Sequence, residues 1–523
     1  MSSISTQPFT VNGRPYHPPA RPLAVICLDG SADEYLDAAL ARGRMPNLQR
    51  ISVGGYRGLA RGAMPSFTNV NNASIVTGVP PSVHGIGGNF FYDSATRQEV
   101  MMNSARFLRA ETIFPAAARA GRKVAVVTAK EKLRDIFAAG LVGTRVPFPA
   151  SSALEPGALG GIAFSSEKAD QAQLESHGVA QVEKLVGHCT PPIYSAEASL
   201  FVLRAGVALL ENGITDFLYL STTDYMQHKY APDTPEAVEF YAALDHELGR
   251  LLERGAILGI TADHGMNAKQ KPDGSPNVIY LESELTKTFG PGFRVILPIT
   301  DPYVLHHGAL GSFAVIHLPE ANGAAPSSPV PFAPRKEGWL NSSHTQQPEA
   351  RRPAPFAPPS PGRSPRPCDG SGVRSEDKGE RGEGRGEGGP SSGSIFGAAP
   401  AKAAGSSDEG CLLLGSVRDW LSRLCGVTEV YDRETAARKL ELPADRLGEL
   451  VVLAGRDVVL GRTPEHHDLQ ALEGGLRSHG GRYEEMVPFV LSEPLKLEYA
   501  ARAAGDPRNF DIFDFTVNGT RAE

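Results

Sequence analysis

The sequence predicts an α/β fold, a central and mostly parallel sheet flanked by helices. Two observations point to it. Short, continuously apolar runs recur along the chain at Leu23–Leu28, Val124–Val127, Phe217–Leu220, Ala256–Ile260 and Leu450–Leu453. Runs of that length fit strands buried on both faces, as parallel strands are. Between them lie stretches with helical spacing, such as Asn72–Thr77 and Ala237–Leu252. Alternation of the two patterns argues for a sheet covered by helices.

The chain has 523 residues, enough for one large domain or two ordinary ones. From about 321 to 410 it is dense in Pro, Gly, Ser and charge, as in Gly379–Gly389, and lacks apolar periodicity. Such a segment cannot bury enough surface to offset its ordering entropy, so it reads as a disordered insertion. It lies between strand-like Ser312–Leu318 and helix-like Val417–Leu424 and so falls in a surface loop. One folded unit is expected from 21–320 plus 411–500, with a smaller cap drawn from about 103–210 and 267–310.

The formal net charge of -7 suggests neither a nucleic-acid partner nor a polybasic membrane surface. No apolar run approaches the ~20 residues of a membrane span. The first residues contain no apolar core of a secretory signal. Cys27, Cys189, Cys368, Cys411 and Cys425 lie far apart without a C-x-x-C pair. That pattern reads as a reducing compartment, not a disulfide framework. A soluble cytoplasmic protein is expected. A small anionic substrate remains compatible, because local positive charge in a site can oppose the global sign.

Four places carry Asp or His at a strand exit or in a Gly-rich turn. Asp29 directly follows the first apolar run, at the sheet edge where ligands bind; it reads equally as an N-cap or turn residue. Asp224 and His228 follow the run at Phe217 with D-x-x-x-H spacing, one helical turn apart. They are either a metal-binding pair or a surface pair. Asp263 and His264 lie in Thr261-Ala-Asp-His-Gly-Met266, where Gly265 allows the backbone to bend both toward one metal. His479 sits among small residues in Ser478-His-Gly-Gly481; a lone histidine there need not be a ligand. Jointly, three Asp and three His are the inventory of a two-zinc centre with exchangeable positions. Thr68, just before the helix-like Asn72–Thr77, supplies a hydroxyl where a helix N-terminus favours a phosphoryl group. Metal coordination would make it a nucleophile; otherwise it is an N-cap. Asn89 ends the Gly-rich stretch from Gly78 and either donates its amide to a phosphoryl oxygen or is a turn residue. His84 reads as a turn residue.

In this order the motifs resemble the alkaline phosphatase superfamily, in its nucleotide pyrophosphatase/phosphodiesterase branch. The resemblance runs from about Arg21 to Pro494 apart from the insertion. Longer strings, Met64–Gly78, His84–Asp93, Val127–Leu133 and Ser221–His228, look like the members that hydrolyse phosphonoacetate. That resemblance implies an alkaline-phosphatase-like fold and two Zn2+. One zinc would be held by Asp224, His228 and His479. The other would be held by Asp29, Asp263, His264 and the Thr68 oxygen. It implies a small phosphonate substrate, cleaved to acetate and phosphate through a phosphothreonine. Thr68, Asn89, Lys130 and Lys132 would touch that substrate. The two lysines would face one side if their segment is extended; without the resemblance they read as a solvated loop pair. Phosphodiester hydrolysis in the same superfamily is the alternative. A binding protein that kept the fold is a further one, disfavoured because the proposed ligands are all present. A homodimer is compatible with the sequence. Arg294, His306 and His307 belong to the pocket or the cap. The insertion departs from the pattern and separates His479 from its partners.

Overall fold

The computed structural model describes residues 4–141, 161–300, 308–319, 407–469, 472 and 475–521. Its elements build two larger sheets, of seven and four strands, besides four two-stranded ones. The main one contains β1 (Leu23–Cys27), β2 (Tyr56–Arg61), β3 (Val124–Thr128), β4 (Gly161–Ser165), β5 (Phe217–Ser221) and β6 (Ile257–Thr261). A second contains β7 (Arg294–Ile296), β8 (Phe313–His317), β9 (Val427–Asp432) and β10 (Leu450–Ala454). The chain then returns to the main sheet through β11 (Met486–Leu491).

The order in the main sheet is β2-β11-β6-β1-β5-β3-β4, and in the second β7-β8-β10-β9. Strands β6, β1, β5, β3 and β4 run parallel, while β11 is antiparallel to β6 and β2. Every residue of the five parallel strands is buried. Successive side chains serve opposite faces. Ala24 and Ile26 join one apolar cluster, whereas Leu23, Val25 and Cys27 join another. This is why the runs read as unbroken rather than alternating.

Long helices cover the first of these clusters. They include α3 (Ala196–Glu211) and α5 (Pro235–Glu253), introduced here after α1 (Thr68–Thr77) and α2 (Glu131–Phe137), with α4 (Tyr225–Lys229) between them. Helix α5 starts where Thr234 accepts a bond from Ala237 N at 3.3 Å and Pro235 takes the first helical position. The apolar spacing from Ala237 is the face it packs inward.

Register places the chemistry. Cys27 pairs with both Thr261 and Ser221, and Ser221 pairs with Thr128. Four neighbouring strands thus end level at their carboxyl edge. Asp29, Asp263, Asp224 and Lys130 follow within a few residues.

Some expectations are corrected. The run at Leu450 forms β10, a strand of the antiparallel sheet rather than the parallel one. A continuous apolar run reports burial of both faces and says nothing about direction. The segment 103–210 contributes β3 and β4 to the main sheet. Parallel strands need long crossovers, and much of that segment is crossover. Cys189 is disulfide-bonded, against the expectation of none; Cys27 and Cys425 are free. The helix read from Val417 is α6 (Ser407–Leu421), which begins earlier. The rest of the Pro/Gly/Ser-rich insertion lies outside the described residues. Among those described, no helix is long and apolar enough to cross a membrane.

Candidate active site

The level strand ends gather the acids and imidazoles into two buried groups. Asp224, His228 and His479 form one, and Asp29, Asp263 and His264 the other. Within each group the candidate ligand atoms all lie within 4.8 Å of one another.

In the first group, Asp224 precedes α4 and His228 lies within it, with His228 N bonded to Asp224 O at 3.0 Å. One helical turn therefore brings His228 Nε2 to 3.0 Å from Asp224 Oδ2. His479 arrives from far along the chain, its Nε2 at 3.7 Å from the same oxygen. A two-residue ladder, Asn267–Ala268 with Arg477–Ser478, delivers it. The second sheet fixes it further: Ser312 N donates to His479 O at 3.0 Å, and Ser478 Oγ to Leu310 O at 2.6 Å. Gly480 is required, because its φ is +116° and a Cβ there would stand 2.3 Å from the Phe67 ring. The glycine after His479 thus serves that turn.

In the second group, His264 Nε2 lies 3.3 Å from Asp29 Oδ1. Asp263 is held by three donors: Gly30 N at 3.1 Å and His264 N at 3.0 Å on Oδ1, and Asn72 Nδ2 at 2.9 Å on Oδ2. Gly265 does not take a left-handed conformation, so the bend at Asp263–His264 does not depend on it. Gly30 does, with φ +70°, and a Cβ on it would meet Asp224 Cβ at 2.7 Å.

The three histidines share one device. Nδ1 of His228 bonds Arg477 O at 2.8 Å, that of His264 bonds Gly265 O at 2.9 Å, and that of His479 bonds Ser66 O at 2.8 Å. A carbonyl only accepts, so each Nδ1 carries the proton and each Nε2 faces its group as a potential ligand.

Electrostatics agree with a cation-binding role. Both carboxylate oxygens of Asp29 are buried and accept no hydrogen bond from the described residues. Burial, followed by the charge of Asp29, pushes the Asp263 carboxyl well above the usual range. Burial lowers the His264 pKa, but Asp263, Asp29 and Asp224 outweigh it and push it up to about 10. His479 is held well below its ordinary value by burial and then by His264 and His228. Three buried carboxylates so close repel unless positive charge joins them. Oxygen and imidazole donors in this number fit divalent metal ions.

Thr68 begins α1 and is buried; its Oγ1 lies 3.3 Å from His264 Nε2. The preceding Phe67 is the N-cap residue, and no side chain caps the helix. The Thr68 hydroxyl is therefore not a cap and faces the second group. Lys130 is buried, with Nζ at 3.3 Å from Asp224 Oδ1 and 3.9 Å from Asp29 Oδ2. The two lysines do not share an extended segment: Lys130 precedes α2 at its N-cap position, without a side-chain capping bond, and Lys132 lies in the helix's first turn, half-buried. Asn89 is buried, and its Nδ2 donates to Ile299 O at 3.2 Å.

Arg294 pairs with Glu99 and stacks on Tyr92. His306 and His307 lie outside the described residues. His84 is fully buried, its Nε2 bonded to Ser74 Oγ at 2.8 Å and its Nδ1 accepting from Ile86 N at 3.1 Å. Burial lowers its pKa from 6.5 to about 3. The fold keeps it neutral, whereas the unfolded chain takes a proton below about pH 6.5. Its contribution is complete above that pH and is lost as pH falls toward 3. In denaturant melts, wild type should lose about 2 kcal/mol more between pH 7 and 5 than His84→Gln.

A family model described as type I phosphodiesterase / nucleotide pyrophosphatase matches residues 23–289. The crystal structure of phosphonoacetate hydrolase from Sinorhizobium meliloti 1021 in complex with phosphonoacetate is 39% identical. The match covers 99% of each chain at a TM-score of 0.73. The chain belongs to the phosphonoacetate hydrolases. The same Sinorhizobium enzyme in complex with phosphonoformate matches at 39% identity, 99% coverage of each chain and a TM-score of 0.74. A murine ectonucleotide pyrophosphatase / phosphodiesterase 5, an inactive variant in complex with AMP, is 15% identical over 96% of each chain, with a TM-score of 0.50. That likeness concerns the fold alone.

Sequence reasoning missed several residues around this site. Asn72 appeared only as a helix residue, yet it bonds Asp263. The carbonyls of Ser66, Gly265 and Arg477 left no trace in residue type, because any residue supplies one. Lys269 and Glu484 form a fully buried pair at 2.8 Å. Glu484 O accepts from Gly265 N at 2.8 Å, and Glu484 Oε2 from Gly481 N at 3.0 Å. The pair thus ties together the loops bearing His264 and His479. Lys269→Met should cost about 3–5 kcal/mol in a denaturant melt, since Glu484 is left charged and buried.

Proposed function

We propose that this chain hydrolyses the carbon–phosphorus bond of phosphonoacetate to acetate and phosphate, using two zinc ions and Thr68 as nucleophile. One observation carries the reading. The Thr68 hydroxyl stands beside the second of two candidate three-residue ligand groups, whose histidines all present Nε2, in a chain 39% identical to a phosphonoacetate hydrolase. Asp224, His228 and His479 would hold one zinc; Asp29, Asp263 and His264, with the Thr68 oxygen, would hold the other. Zinc bound there supplies Lewis acidity and positive charge, which favour an ionised hydroxyl.

Thr68 Oγ1 attacks phosphorus and gives up its proton to solvent water, forming a phosphothreonine as the P–C bond breaks. The electron pair of that bond passes to the methylene carbon and spreads into the carboxylate as an enediolate. A proton from water then completes acetate. Water next attacks phosphorus, the P–O bond to Thr68 breaks, and the threonine regains its proton. The N-terminus of α1 favours the phosphoryl group at Thr68. Lys130 neutralises the carboxylate that receives the electrons, with Lys132 as its companion. Asn89 still has a second amide hydrogen for a phosphoryl oxygen.

Phosphate release from phosphonoacetate should exceed turnover of a nitrophenyl phosphodiester; the reverse would establish the phosphodiesterase alternative instead. Lys130→Ala should lower kcat/KM on phosphonoacetate about a hundredfold while sparing the diester. Equal losses on both would remove the carboxylate role from Lys130.

A further inference from the structure

We propose that Asn72 is a positioning residue that locks the Asp263 carboxylate to the first turn of α1, and so fixes the second ligand group relative to the Thr68 hydroxyl. The inference rests on the metal-binding reading above. Asn72 is fully buried. Its Nδ2 donates to Thr68 O at 3.1 Å and to Asp263 Oδ2 at 2.9 Å. Its Oδ1 accepts from Tyr219 OH at 2.6 Å and from Ser221 Oγ at 2.9 Å. A carboxamide has two donor hydrogens and two acceptor lone pairs, and all four are used. Carbonyl and carboxylate can only accept, so the amide has one orientation.

The four bonds reach three elements, since Tyr219 and Ser221 share β5. Thr68 begins α1, Asp263 follows β6, and Ser221 ends β5 shortly before Asp224. One side chain therefore references the nucleophile to both ligand groups. The Asp263 carboxylate needs such a reference at Oδ2. Backbone amides hold its Oδ1, whereas Asn72 is the hydrogen-bond donor to Oδ2 among the described residues. Without it the carboxylate turns about its terminal bond, and the lone pair aimed into the group is lost. Residues that orient ligands in this way typically change metal affinity by 10–100-fold.

The test uses the full chain stripped of metal and titrated with zinc, followed by steady-state kinetics on phosphonoacetate. Asn72→Ala should weaken one of two zinc-binding events by 10–100-fold. The zinc-saturated variant should lose kcat by about tenfold or more, with KM near that of wild type. Asn72→Ser, too short to reach Asp263, serves if the alanine variant does not fold and should give the same split. A variant that melts earlier but titrates and turns over as wild type would overturn the proposal and leave Asn72 a core residue. If wild type turns over no phosphonoacetate yet the variants lose zinc selectively, the substrate assignment falls and the positioning role stands.

Discussion

Thr68→Ala is expected to keep its metal and lose turnover of phosphonoacetate by about four orders of magnitude or more, the scale on which removal of a nucleophile acts. Thr68 Oγ1 makes its close approach to His264 Nε2, while each candidate group keeps three Asp and His side chains without it. The methyl group lost is small and the helix start is not capped by this side chain, so the fold should persist. The check is a paired measurement, zinc content by elemental analysis and phosphate release on the same sample. Retained turnover would end the assignment of Thr68 as nucleophile. Loss of zinc together with turnover would make Thr68 chiefly a ligand.

Removing the metal should have the second large effect, on stability as well as rate. A chelator-treated chain confines Asp29, Asp224 and Asp263 together in a buried space with no ion between them. Ligand binding to the native state alone stabilises by RT ln(1 + [L]/Kd), about 4 kcal/mol at a thousandfold excess over Kd. The melting temperature should therefore rise steeply with added zinc, and turnover should return with it. His479→Ala should blunt the response, because it removes one imidazole from the group it shares with Asp224 and His228. A melting temperature indifferent to both chelator and zinc would rule out resident metal ions.

The parallel core was legible because Leu23–Leu28, Val124–Val127, Phe217–Leu220 and Ala256–Ile260 are buried on both faces and carry no polar alternation. The same logic misjudged Leu450–Leu453, since burial does not encode strand direction. The acids at strand exits were legible because sheet geometry places such residues at one edge. His479 was the weakest member of that set by sequence. It joins the others through a hydrogen bond from Ser312 and a glycine turn against Phe67, contacts between residues remote in the chain. Lys130 reaches the ligand edge from the residue just before α2 rather than from an extended strand, with its Nζ 3.3 Å from Asp224 Oδ1. Asn72 and the three carbonyls beneath the histidines stayed hidden, because their roles depend on what packs against them.

If metal binds as proposed, the level alignment of Cys27, Thr261, Ser221 and Thr128 makes ion uptake a proofreader of sheet assembly. A slip of a single residue in any of these strands moves its exit by about 3.3 Å and inverts the side-chain alternation. Misaligned compact states would be metal-blind, so added zinc would withdraw population from them only by way of the correctly threaded molecule.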